Sequence, residues 1–205
     1  MDGKLRILVS ALALGCLMTS SVASAGSSSA SSSSLVPGCS GQAYVQPFLP
    51  WLDPASYVLM PAGAVERADG WTLSGGAKIV SGNETWRVNS PIDSRSLLLP
   101  SGSSATTPSL CITLFHPTLR LFAMNAGPVT TTLKVEAITD VLGIKLVTPI
   151  ALLAAGSSWN PTIPAAFLDN LAAATGGSVA FRLTPVGSRS GWRIDDVYVD
   201  PFKER

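Results

Sequence analysis

The densest run of chemistry-bearing residues in this 205-residue chain is Trp192 to Pro201 (WRIDDVYVDP), where Asp195 and Asp196 stand side by side. Apolar side chains alternate on either side of the pair, but out of phase. Trp192 and Ile194 share one face of a strand, and simple counting puts Val197 and Val199 on the other. A β-bulge at Asp195-Asp196 would return all four to one buried face, because a bulge sets two residues against one on the neighbouring strand. Two carboxylates placed there have two readings. They are a solvated pair near a sheet edge, where charge discourages edge pairing, or they are metal ligands.

Elsewhere the chemistry is sparse. The single histidine, His116, lies between Phe115 and Pro117 at the end of an apolar run and reads as structural. No GxSxG, HExxH or CxxC pattern is present, so the usual nucleophile and zinc signatures are missing. Asp53, Glu66, Asp69, Glu84, Asp93, Glu136, Asp140 and Asp169 are scattered, and no spacing pairs two of them for glycoside hydrolysis. The expectation is a protein that is not an enzyme. Binding is the better fit, since sugar rings stack apolar faces on aromatics while their hydroxyls need a few polar partners. The candidate ligand-binding residues are Trp86 and Arg87, and Trp159 and Asn160, each indole lying next to polar turn residues. Asn89, Arg120 and Arg182 are further hydrogen-bond donors. Core or loop packing is the alternative for each of these two tryptophans. Trp71 and Trp192 follow glycine at strand starts and read as core, and Trp51, among Pro47, Pro50 and Pro54, reads as a pin for the N-terminal segment.

These residues need a scaffold, and the chain divides accordingly. Residues 1–25 carry Lys4 and Arg6, an apolar run from Leu5 to Met18 and an Ala23-Ser24-Ala25 cleavage site, the pattern of a secretory signal peptide. Residues 26–38 form a Ser-rich flexible linker, and residues 39–205 a single domain. The apolar run is short of the ~20 residues a transmembrane helix needs, and the mature chain has no other of that kind. Removing the leader takes two of 14 basic residues and one of 13 acidic ones, leaving 12 of each. A near-neutral chain with scattered Lys and Arg argues against a nucleic-acid partner, and a monomer is expected. Cys16 leaves with the leader, so Cys39 and Cys111 are the remaining thiols in an oxidising compartment and are expected to pair. The bridge closes a loop that the chain-entropy model values on the order of 4 kcal/mol.

From Tyr57 onward the sequence alternates short apolar runs with Gly, Pro, Ser and Asn, the pattern of an all-β sandwich. Eleven runs qualify: Tyr57 to Met60, Trp71 to Leu73, Ala77 to Val80, Trp86 to Val88, Leu97 to Leu99, Leu110 to Phe115, Leu119 to Met124, Thr131 to Thr139, Ile144 to Leu153, Val179 to Thr184 and Trp192 to Val199. Ser74-Gly75-Gly76 reads as a tight hairpin turn. Pro164 to Gly177 has a helical pattern, opening on Pro and closing on Gly.

Gly63-Ala64-Val65-Glu66, Gly70-Trp71 and Ile194-Asp195-Asp196-Val197 together resemble the galactose-binding-like jelly roll of many secreted carbohydrate-binding modules, with Ala64 and Val65 departing from the usual Gly-Phe of the opening turn. A wider stretch, from Gln46 to Gly63 through Gly70 to Glu84 to the closing strand, is similar to a group of uncharacterised secreted actinobacterial proteins and implies no activity. The jelly-roll resemblance implies an antiparallel β-sandwich with a short helix or loop insertion, and a glycan or cell-wall polysaccharide as ligand outside the cell or at its envelope. It also implies a structural calcium ion where the opening turn meets the last strand, with Glu66 and Asp195 or Asp196 as side-chain ligands and carbonyls near Gly63 completing the oxygen shell. A structural or protein-interaction component of the envelope, binding no sugar, is the alternative.

Overall fold

The computed structural model of the chain describes residues 41–112, 118–141, 143–167 and 177–200. The expected leader and linker, Cys39 and His116 lie outside the described residues. Among the described residues the strands are β1 (Tyr44–Val45), β2 (Tyr57–Leu59), β3 (Thr72–Ser74), β4 (Lys78–Ser81), β5 (Arg95–Pro100), β6 (Ser104–Thr106), β7 (Leu110–Cys111), β8 (Thr118–Asn125), β9 (Thr132–Val141), β10 (Ile144–Ala154), β11 (Asn160–Pro161), β12 (Ala165–Ala166), β13 (Ser178–Val186) and β14 (Gly191–Asp200), with a 3-10 turn at Leu49–Trp51. They form two antiparallel sheets of a jelly-roll sandwich. One sheet runs β1-β2-β14-β5-β4, with β8 also pairing β14 and with β11 and β12 on β8; the other runs β10-β9-β13-β6-β3, with β7 on β13.

Alternation explains the layers. On β8, Leu119, Leu121 and Ala123 point between the sheets and join a core with Leu97, Leu99, Val135, Phe181 and Leu183. The intervening Phe122 points the other way. It packs with Phe48, Tyr57, Trp159 and Tyr198 in a second cluster on the outer face of that sheet. The segment from Gln46 to Ala55 covers this cluster: Phe48 is completely buried, and Trp51 meets Phe122 edge-on at 5.3 Å. Trp71 and Trp192 are core, and Trp51 pins the N-terminal segment, as their contexts suggest.

β14 is the centre of the first sheet, and its bulge is where the sequence phase slips. Asp195 pairs with Phe122 and Tyr198 with Arg120, so β14 advances three residues while β8 advances two. Trp192, Ile194, Val197 and Val199 are all completely buried in the core between the sheets. Asp196 takes the left-handed backbone region, φ 44°. The aspartates are therefore not a solvated edge pair: both are buried at the middle of the sheet. On the edge of β14 away from β8, pairing with β5 ends at Ile194 and pairing with β2 starts at Tyr198. The turn from Met60 to Gly63 fills the break. The Met60 N–H donates to the Val197 carbonyl (2.9 Å) and the Val197 N–H to the Gly63 carbonyl (3.0 Å). Gly63 has to be glycine, because a Cβ there would lie 2.8 Å from the carbonyl oxygens of both Met60 and Val197.

Three local expectations are corrected. Gly75-Gly76 does not close a hairpin: β3 pairs with β6 and β4 with β5, so the turn carries the chain from one sheet to the other. Trp86 to Val88 is a turn, because the Glu84 carboxylate takes the backbone N–H groups that a strand would need. The helical pattern beginning at Pro164 opens instead with β12, paired to β8, and its part at residues 168–176 lies outside the described residues.

Candidate functional site

The turn from Glu84 to Asn89 passes over the bulge, and its two sides differ in character. On the inner side Glu84 is 1% exposed; its carboxylate accepts the backbone N–H of Trp86 and of Val88, each at 2.5 Å. The Glu84 N–H donates to Asp195 Oδ2 (2.9 Å), and the Asp196 N–H to Asp195 Oδ1 (3.0 Å). Asp196 Oδ2 accepts the Asn89 N–H (3.2 Å), while Asp196 Oδ1 is buried with no partner. Asp93 accepts the Asn89 side-chain amide at 2.8 Å. Glu66 lies at the rim, where it accepts the N–H groups of Ser94 and Arg95 and the Ser94 hydroxyl. Burial, followed by the Asp196 charge, pushes the Asp195 carboxyl up to about 9. Burial, followed by Glu84 and then Asp93 and Glu66, pushes Asp196 up to about 7. Desolvation disfavours the charged form, and like charges add to it.

The bulge thus brings Asp195 and Asp196 under one turn, with Glu66 bonded to the following segment. Among the described residues, no group of three or more His, Cys, Asp or Glu is arranged to hold a metal ion. Glu66 and Asp195 already spend both carboxylate oxygens on N–H or hydroxyl donors. The carboxylate oxygen of the pair left without a partner is Asp196 Oδ1.

On the outer side the same turn presents Trp86, 46% exposed, at a pocket of about 600 Å³ lined by Val45, Gln46, Pro50, Trp51, Arg87, Asn89 and Tyr198 among others. The indoles of Trp86 and Trp51 meet edge-to-face, centroids 4.9 Å apart, and Phe122 backs Trp86 at 5.9 Å. Burial, then the charges of Asp196 and Asp93, push the Tyr198 hydroxyl above its ordinary range, so it remains a neutral phenol. Volume, aromatic walls and a few polar groups match small-ligand sites.

No protein-family model matches the sequence, and a search of curated proteins finds no match. The fold is shared with solved structures. One is the N-terminal CBM22-1-CBM22-2 tandem domain of Paenibacillus barcinonensis Xyn10C (TM-score 0.51, 14% identity, 73% of this chain and 46% of that one). Another is the CBM22-1-GH10 portion of Clostridium thermocellum xylanase 10B, solved with xylohexaose (TM-score 0.51, 14% identity, 69% of this chain and 28% of that one). The chain spans less than half the length of either. At this identity the likeness concerns the fold, that of carbohydrate-binding modules.

The candidate residues fare differently. Trp86 and Arg87 line the pocket together. Trp159 is 9% exposed and belongs to the second apolar cluster, with the Arg193 guanidinium 5.6 Å from its ring centroid. Asn160 is exposed on β11 and is not among the pocket's lining residues. Arg120 is committed to the Asp53 carboxylate and the Thr162 carbonyl, and Arg182 to Glu136. Cys111 lies on β7, facing Ser178 of β13. Sequence reasoning missed Glu84 as the organiser of the turn and Trp51 as the second wall of the pocket. Nothing in the spacing marks Glu84, whereas the prolines around Trp51 marked a packed aromatic without revealing its neighbour.

Proposed function

We propose that the chain is a secreted, non-catalytic binding module for a glycan or cell-wall polysaccharide, acting outside the cell or at the envelope. The observation that carries this reading is the half-exposed Trp86, set edge-on to Trp51 at the mouth of a pocket on a jelly-roll sandwich. An indole face offers a sugar ring its stacking surface, and Gln46, Asn89 and Tyr198 supply hydroxyl partners. The shared fold supports this by analogy, which does not by itself fix function. Retention of residues 26–205 on insoluble xylan, cellulose, chitin and purified cell wall tests it: one polymer should hold the protein and release the Trp86→Ala variant. Passage through all four would remove the reading.

Two further features belong to the proposal. A calcium ion at the bulge is supported by the unpartnered Asp196 Oδ1, and Asp196 would be its side-chain ligand; when bound it would neutralise the buried carboxylates. A Cys39–Cys111 disulfide is proposed from the thiol count in an exported chain, and two alkylatable thiols in the unreduced protein would contradict it.

A protein-interaction role is the second reading, and β10 favours it. That edge strand exposes Ile144 and Leu152 at 65% each, with Val147 and Leu146 above 40%. No retention on any polymer, together with a concentration-dependent sedimentation coefficient, would favour this role.

A further inference from the structure

We propose that the Trp51-Trp86 pocket selects a sugar bearing a carboxylate, with Arg87 as the group that recognises it. This rests on the glycan reading and narrows it to acidic polymers. Among the described residues lining the pocket, Arg87 alone is charged; the others are apolar, aromatic, amide or phenol. The acids hydrogen-bonded to this turn are buried beneath it. Glu84, Asp196 and Asp93 are 1%, 1% and 6% exposed, and Glu84 spends both oxygens on the N–H groups of Trp86 and Val88. None of these carboxylates is among the residues lining the pocket, and their charge reaches its wall at the Tyr198 hydroxyl.

The turn also fixes where Arg87 stands. Its backbone holds φ 51°, a region that costs a side-chain-bearing residue energy and persists only where the surroundings enforce it. The enforcement is visible on both sides: Trp86 and Val88 are bonded to Glu84, and Asn89 to Asp196. The Arg87 Nη1 donates to the Pro91 carbonyl at 2.7 Å, which orients the guanidinium and spends one of its five N–H donors. A planar fork is the geometry that grips a carboxylate through two bonds.

Titration calorimetry with oligogalacturonides and their methyl esters tests the proposal, since esterification removes the charge and keeps the ring. The wild type should bind the free acid at least tenfold more tightly than the ester. Arg87→Gln should abolish that preference, and Arg87→Lys, which keeps the charge but not the fork, should reduce it. Circular dichroism establishes that each variant is folded. Equal affinity for acid and ester, or a preference that survives in Arg87→Gln, would overturn the proposal. Retention on neutral xylan without any binding of the acid would also overturn it while leaving the glycan reading intact. No binding to any saccharide would remove both.

Discussion

The two sides of the Glu84 to Asn89 turn are a backbone thickness apart and obey opposite rules. The inner side is buried and acidic, and its carboxylates are occupied by backbone N–H groups. The outer side is half-open and aromatic, with one cation. The difference shows that the turn is shaped from within and used from without. Glu84 does for this loop what a capping residue does for a helix end, accepting backbone donors that have no strand partner. Trp86 and Arg87 then stand on a backbone held by Glu84 and Asp196.

The strongest way to break this comparison is Glu84→Ala. It leaves the Trp86 and Val88 N–H groups unpaired in a partly buried turn. Hydrogen bonds to a charged group contribute about 1.5–3 kcal/mol each, so a loss of about 3 kcal/mol is expected in urea unfolding, with loss of glycan retention as well. Unchanged stability would mean that the inner side does not hold the outer one.

Two indoles with similar sequence surroundings sharpen the comparison further. Trp159→Ala removes a side chain from the second apolar cluster and should cost about 3–5 kcal/mol, the usual range for a large core truncation. Trp86→Ala removes a half-exposed ring and its edge contact with Trp51, for about 1–2 kcal/mol, yet should abolish binding. Paired urea titrations and pull-downs separate the two. Comparable stability losses would erase the distinction between core and site.

Much of the architecture was legible because it is local. Ten of the eleven apolar runs overlap strands, and the phase slip at Asp195 announced the bulge, since period-two alternation cannot skip a residue without one. What failed was long-range or carried by a side chain. Gly75-Gly76 looks like a hairpin until β4 finds β5 and β3 finds β6, pairings that no short window contains. Trp86 to Val88 looks like a strand because nothing shows in advance that Glu84 will fold back on it. Trp86 and Trp159 could not be ranked, because exposure depends on long-range packing: Trp159 joins the cluster around Phe122, while Trp86 stands half-exposed beside Trp51.

The smallest expected effect concerns the charge on the inner side. Asp195 and Asp196 hold their protons to about 9 and about 7, above their ordinary value of 3.8. The folded state thus binds more protons than the unfolded one between those values, and stability falls as pH rises through that window. In the presence of chelator the melting temperature should decline gradually from pH 5 to pH 9. Calcium should offset the decline most at the alkaline end, where the carboxylates would otherwise ionise without a counter-charge. Asp196→Asn keeps the side-chain shape and tolerates the left-handed backbone. It removes one of the two carboxyls whose protons are held this way, so it should flatten the decline and eliminate the calcium response. A variant as pH-sensitive as the wild type would show that the pair is neutralised in some other way, and the inner side would then be a set of hydrogen bonds with no electrostatic role.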